Sequence, residues 1–248
     1  MAGVRHIAYE TLGSTNAEAL ACARAGEREP LWITARTQSA GRGRRGTRWV
    51  SAPGNLFATL LLSDPARDEF NPQLSFVAAL AVHDAVTESA PQIGALTKLK
   101  WPNDLLIGGR KAAGLLIEGE SEPINAVAIG VGVNCASHPD DTAYPATDLA
   151  AEGARISAET LFSALMRTMQ QRLDQWNAGQ NFGSIRANWL ARAAGVGEPI
   201  RVRLPERELA GRFQGLDDAG RLLVAQDGGH IELVTAGEVF ALGAGALR

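Results

Sequence analysis

Cysteine is scarce in this 248-residue chain: Cys22 and Cys135 are the only two. They make neither a disulfide framework nor a CxxC metal site. The four histidines (His6, His83, His138 and His230) lack ligand spacing, so no structural metal is expected. No apolar run approaches the roughly 20 residues that a membrane helix needs. The opening MAGVRHIAYETL lacks the charged-then-apolar layout of a signal peptide. These absences lead us to expect a soluble cytoplasmic protein. Strong charge is also missing: the net value is −3, so no global basic field recruits nucleic acid, and neither a DNA nor a membrane partner is expected. Lysine is nearly as rare, with Lys98, Lys100 and Lys111 the only three among 24 basic side chains. A lysine where arginine would serve solubility points to a need for a compact or titratable ammonium, although three residues also fit chance clustering.

What is present is an ordinary globular balance, 46% apolar and 21% charged. A helix is expected over Asn16–Ala25, with Thr15 and Glu18 spaced as a capping box. Leu31–Arg36 and Leu56–Leu62 read as strands, Leu74–Ser89 as a helix by its apolar spacing, and Lys98–Trp101 as a strand stopped by Pro102. Leu105–Ile107 and Ala113–Glu118 flank Gly108-Gly109, a hairpin signal that would bring Lys100 and Lys111 together. Ala126–Val133 reads as a buried strand, and Ser157–Trp176 and Phe182–Ala194 as helices. After Gly197 come five short strands, Ile200–Leu204, Ala210–Leu216, Leu222–Ala225, Ile231–Val234 and Val239–Leu242, which suggest a small barrel leaning on the larger domain. The expected division is therefore 1–195 and 196–248.

The strongest chemical feature is Gly41-Arg42-Gly43-Arg44-Arg45-Gly46, followed by Thr47-Arg48-Trp49, in a stretch without an acidic residue from Pro30 to Ser63. Its glycines admit close backbone approach, and its arginines offer planar forks to phosphate or carboxylate oxygens. Empty, such a loop repels itself and is expected to be mobile. By itself, such an arginine run is more often a solvated basic loop. The string matches GxGxxG, but a strand follows where a dinucleotide fold starts a helix, so the match is accidental. No GxxxxGK[ST] occurs, which excludes a P-loop. Trp101-Pro102-Asn103-Asp104 presents an amide and a carboxylate at a strand end. Asp104 could hold Mg²⁺ or an amine, although such a triplet alone is far more often an ordinary turn. Ser14-Thr15-Asn16 fits either N-capping or a polar ligand. Asn134 ends an apolar strand, an unusual place for an amide, while Cys135 reads as a buried filler.

In order, the chain carries Ser14-Thr15-Asn16, then Gln38-x-x-Gly41-Arg42-Gly43-Arg44-Arg45-Gly46-x-x-Trp49, then Lys100-Trp101-Pro102-Asn103-Asp104. Arg110-Lys111-x-x-Gly114-x-Leu116-x-Glu118 and Gly130-x-Gly132-x-Asn134 follow. This succession resembles the bacterial biotin protein ligases over the whole chain. The resemblance implies an α+β fold: a mixed β-sheet backed by helices, like the class II aminoacyl-tRNA synthetase catalytic fold, plus a small C-terminal SH3-like β-barrel. It implies a ligase that forms biotinyl-5′-AMP from biotin and ATP with Mg²⁺, then transfers biotin to a lysine of biotin carboxyl carrier protein. Ser14, Thr15, Asn16 and Gln38 would bind the biotin head group, with Arg42, Gly43, Arg44 and Lys111 toward its carboxylate. Arg42, Arg44, Arg48, Trp49, Asn103, Lys111 and Asn134 would bind the nucleotide. Lys111, Arg44 and Asp104 would be catalytic, Asp104 toward the acceptor amine. Family members occur as monomers and as dimers, so a homodimer is compatible. Only 13 residues precede Ser14, which implies a form without the N-terminal DNA-binding domain of the repressor members. A lipoate or octanoate ligase on the same fold is the nearest alternative. A nucleic-acid-binding module is another, disfavoured by 6% aromatics and a single basic loop.

Overall fold

The computed structural model describes residues 4–122, 125–142 and 144–241. Its larger part is a seven-stranded sheet. The chain enters as strand β1 (Arg5–Leu12), helix α1 (Thr15–Arg24) and strand β2 (Leu31–Gln38). Strand β3 (Leu56–Ser63), helix α2 (Leu74–Ser89), β4 (Thr97–Lys100), β5 (Asp104–Ile107), β6 (Arg110–Glu120) and β7 (Ala126–Val133) follow. The order across the sheet is β1-β2-β3-β7-β6-β5-β4. β1 runs parallel to β2 and the other pairs are antiparallel, so the sheet is mixed. Helices α3 (Ala158–Trp176) and α4 (Phe182–Arg192) complete this part.

Side-chain alternation explains why both faces of the sheet are covered. Trp32, Ala58, Leu60 and Leu62 point to one face and join α2 and α3 in the main core. Leu31, Ile33, Leu61, Ala126 and Ala128 point to the other and meet Ala19, Leu20 and Ala23 of α1. With ten residues, α1 covers only part of that second face. Beyond its N-terminus the same face carries Gly130 and Gly132 on β7 and Gly114, Leu116 and Glu118 on β6, and this strip floors a cavity.

The second sheet is antiparallel, ordered β11-β10-β9-β8-β12, from β8 (Pro199–Arg203), β9 (Glu208–Leu216), β10 (Leu222–Ala225), β11 (Ile231–Val234) and β12 (Glu238–Ala241). Ile200, Val202, Phe213 and Val224 enter the same core as α2 and α4, so the small module does lean on the larger part. Trp101 Nε1 donates to the Gly220 carbonyl at 3.2 Å. Phe76 and Phe182 press so closely on Gly220, at φ +80°, that a Cβ there would stand 2.7 Å from Phe76.

The sequence expectations need two corrections. Ser14, not Thr15, caps α1: its backbone is extended and its Oγ accepts from Ala17 N at 3.5 Å. Thr15 turns its hydroxyl to Gln38, and Glu18 accepts from Tyr9 Oη at 3.0 Å in place of closing a capping box. β1 was not anticipated. It is an edge strand whose burial alternates weakly, and its parallel partner supplies the pairing. The arginine loop is folded as a ribbon. Gly43 N bonds Thr47 O at 2.7 Å and Trp49 N bonds Gly41 O at 2.9 Å, around a turn with Arg45 and Gly46 at positive φ. Leu242, the expected end of the last strand, lies outside the described residues.

Candidate active site

The cavity measures about 480 Å³, and every candidate site residue lines it: Ser14, Thr15, Asn16, Gln38, Arg42, Gly43, Arg44, Arg48, Trp49, Asn103, Asp104, Lys111 and Asn134. These come from the start of α1, the end of β2, the arginine ribbon, the β4–β5 turn, β6 and the end of β7. Sheet order brings them together, because β7 lies between β3 and β6 and its Asn134 end opens toward the β5–β6 side.

One end is neutral and polar. Gln38 Oε1 accepts from Thr15 N at 2.8 Å and from Thr15 Oγ1 at 3.2 Å, while its Nε2 donates to Ser51 Oγ at 3.1 Å. Buried Thr59 donates to Asn16 Oδ1 at 2.7 Å. Asn16 Nδ2 reaches Leu116 O at 3.2 Å and Glu118 Oε2 at 2.9 Å. Both amide protons of Asn16 are therefore committed, and its oxygen keeps one lone pair. Gly130 is required behind it, since any Cβ there would collide with the Asn16 amide.

The other end is cationic. Arg44 Nη1 donates to Asn103 Oδ1 at 3.4 Å and to Gly237 O, from the second sheet, at 3.3 Å. Burial, then the neighbouring Arg45 charge, pulls the Arg44 guanidinium below its usual range, with Asp104 and Glu238 opposing. Lys111 Nζ stands 2.6 Å from Asp104 Oδ1, and Lys100 Nζ stands 3.8 Å from Asp104 Oδ2. Lys111 therefore holds Asp104 Oδ1 in a close ion pair. Trp49 lies flat on the floor, its indole where a Gly132 Cβ would be 2.6 Å away. Lys111 Nζ hangs 5.5 Å from the centre of that ring. Asn134 donates to Thr147 O at 3.0 Å. Cys135 is buried, and burial pushes its thiol up to about 12, which removes it as a nucleophile.

Among the described residues no group of three acidic, histidine or cysteine side chains could hold a metal ion. Asp104 and Glu118 already face lysine and arginine. A cation carried in on a triphosphate fits this wall better than a resident one.

Sequence reading missed Thr59, Tyr144, Gly237 and Glu238 as parts of this site. It quoted Glu118 without a role, although its carboxylate also accepts from Arg42 Nε at 3.2 Å.

A family model described as biotin/lipoate A/B protein ligase family matches residues 15–134, and one described as biotin protein ligase C terminal domain matches 195–242. The biotin–[acetyl-CoA-carboxylase] ligase of Paracoccus denitrificans is 41% identical over 92% of this chain and 96% of its own. The chain belongs to the biotin protein ligase family. The ligase of the same name from Mycobacterium tuberculosis is 36% identical over 93% of this chain and 86% of its own. In structure, the biotin protein ligase of Aquifex aeolicus, solved with biotin and ATP, superposes with a TM-score of 0.79. It covers 95% of this chain and 97% of its own at 24% identity, which shows the shared fold. Among the described residues no helix is long and apolar enough to cross a membrane.

Proposed function

We propose that this cavity binds biotin and ATP, forms biotinyl-5′-AMP, and passes biotin to a lysine of a biotin carboxyl carrier protein, as the biotin–[acetyl-CoA-carboxylase] ligase activity of the family requires. The observation that carries the reading is the junction of a neutral polar wall with a cationic wall inside one cavity. A molecule with a polar uncharged head and a carboxylate tail fits it end to end. Ser14, Thr15, Asn16 and Gln38 receive the head, and Arg42, Gly43, Arg44 and Lys111 face the carboxylate. Arg42, Arg44, Arg48, Trp49, Asn103, Lys111 and Asn134 form the nucleotide side.

Charge explains the first step. A biotin carboxylate oxygen attacks the α-phosphorus of ATP, the bond to the β-phosphate oxygen breaks, and pyrophosphate leaves. Both reactants are anions, so Lys111 and Arg44 offset their repulsion and stabilise the charge that grows in the transition state. Mg²⁺ enters on the triphosphate as part of the substrate and neutralises it further. In the second step the acceptor ammonium gives up a proton and its nitrogen attacks the acyl carbon. The acyl–phosphate C–O bond then breaks, AMP departs with the electron pair, and the nitrogen loses its second proton to solvent as the amide forms. Asp104, freed at Oδ1 when Lys111 turns to the phosphate, orients that amine and receives its proton.

We divide the chain into a catalytic part, 1–195, and a C-terminal part, 196–248, which lends Gly237 and Glu238 to the site. Two free cysteines suit a reducing cytoplasm. No DNA partner is proposed, because a net charge of −3 supplies no basic field to recruit one. Acid-dependent ATP–pyrophosphate exchange tests the reading, with biotin and lipoate side by side. Exchange with biotin alone is expected. Exchange with lipoate alone would transfer the mechanism to the other acid, and exchange with neither would refute adenylation.

A further inference from the structure

Lys100 is buried, yet nothing in the reaction described above uses it. Its ammonium faces one carboxylate and two aromatic rings. Asp104 Oδ2 stands at 3.8 Å, the ring of Tyr144 has its centre 3.6 Å away, and that of Phe240 5.6 Å. Removing a cation from water is costly, and aromatic faces with one carboxylate are the compensation here. Burial pulls the Lys100 amine below its ordinary range, with Asp104 opposing. Both rings are anchored from a distance. Tyr144 precedes Pro145–Thr147, a segment tied to the backbone of Lys111 at 2.8 and 2.9 Å, and Phe240 belongs to β12 of the second sheet.

Asp104 thus has one oxygen facing each lysine, and the two lysines differ. The Lys111 side chain is 28% exposed on the cavity wall, whereas that of Lys100 is 8% exposed behind the two rings. Lys111 can leave Asp104 for a substrate anion. Lys100 cannot follow it. Arg44 and Glu238 are the other charges that bear on this corner.

We infer that Lys100 is a positioning residue, a fixed counter-cation that keeps the Asp104 carboxylate aimed into the cavity when Lys111 turns to the carboxylate and α-phosphate. The first half-reaction calls Lys111 away. The second needs Asp104 in place to receive the acceptor's ammonium, so Lys100 serves the transfer step through Asp104. A compact ammonium suits this slot between two rings, which gives a reason for lysine in a chain that otherwise favours arginine. The inference rests on the ligase reading.

The test compares wild type, Lys100→Met, Lys100→Arg, Asp104→Asn and the double variant. Biotin-dependent pyrophosphate exchange reads the first half-reaction. Single-turnover transfer from preformed biotinyl-5′-AMP, at varied concentrations of a biotin carboxyl carrier domain, reads the second. Lys100→Met should slow transfer at saturating carrier roughly 10- to 100-fold, as misplacement of a reacting group does, with a much smaller loss in exchange. Lys100→Arg should recover part of the transfer rate. In the Asp104→Asn background, Lys100→Met should add little, because its effect runs through that carboxylate. Equal losses in both half-reactions, or the same loss in the Asp104→Asn background, would overturn the inference. If Lys100→Met does not fold, Tyr144→Leu removes the nearer ring while leaving both charges. It should show the same bias toward transfer at smaller amplitude, and an unbiased loss would count against Lys100. Wild type lacking biotin-dependent exchange would instead sink the ligase reading, which separates the two failures.

Discussion

Glu118 binds Arg42 across the cavity: its Oε1 accepts from Arg42 Nε at 3.2 Å, while its Oε2 accepts from Asn16 Nδ2 at 2.9 Å. One carboxylate therefore joins the head-group wall to the arginine ribbon. The Arg42 side chain is 42% exposed, so the pair itself contributes little to stability, under about 1 kcal/mol. Its effect should fall on binding. Glu118→Ala is expected to weaken biotin binding several-fold in calorimetry, with only a modest loss of stability as buried Asn16 Nδ2 loses an acceptor. A large loss of stability with unchanged affinity would contradict this account.

On the proposed reading, Lys111 serves the phosphate-centred step. Lys111→Ala should abolish biotin-dependent pyrophosphate exchange yet retain measurable transfer from preformed adenylate. Rapid-quench assays of the two half-reactions check this, and equal loss in both would refute the division.

The glycine floor is needed because Trp49 lies on it. In Gly132→Ala the new methyl would stand 2.6 Å from Cε2 of the indole and must displace it. The expected result is altered tryptophan emission and a KM for ATP raised about tenfold, as a misplaced binding wall implies. Unchanged emission would mean that the floor adjusts instead.

Acid stability should depend on the back of the molecule. Asp84 meets Arg172 Nη2 at 2.6 Å and Arg192 Nε at 3.8 Å. Burial pushes its carboxyl up, but His83, Arg172 and Arg192 outweigh burial and hold it below the usual carboxylate range. A depressed folded-state value adds stability that is present above the unfolded value, near pH 4, and fades as pH falls through the lower folded value. Asp84→Asn should cost about 1–3 kcal/mol at pH 7, with the gap to wild type closing as pH falls below about 4 and through the lower folded value. Denaturant unfolding across that range tests the sign.

Local chemistry made much of the fold legible. Apolar spacing gave α2 and β7 with their observed ends, and the serine before Ala158 gave the start of α3, where Ser157 Oγ accepts from Thr160 N. The candidate site was legible because its residues cluster in short runs. What stayed hidden depends on register and distance. Thr59 looks like one more strand residue until β3 pairs with β7 under α1. Arg44 meets Gly237 across 193 positions of chain, and no local pattern encodes that contact. β1 was lost because an edge strand needs no continuous apolar run.

The burial of Lys100 has a consequence for the protein as a target of its own chemistry. A mixed anhydride that escapes the cavity acylates accessible amines without regard to sequence. Of the three lysines here, Lys100 is sealed behind two rings and Lys111 is engaged with Asp104, which leaves Lys98 as the one exposed lysine. An enzyme of this composition is a poor substrate for its own leaked intermediate, and amine-directed coupling would modify one known lysine position outside the active site.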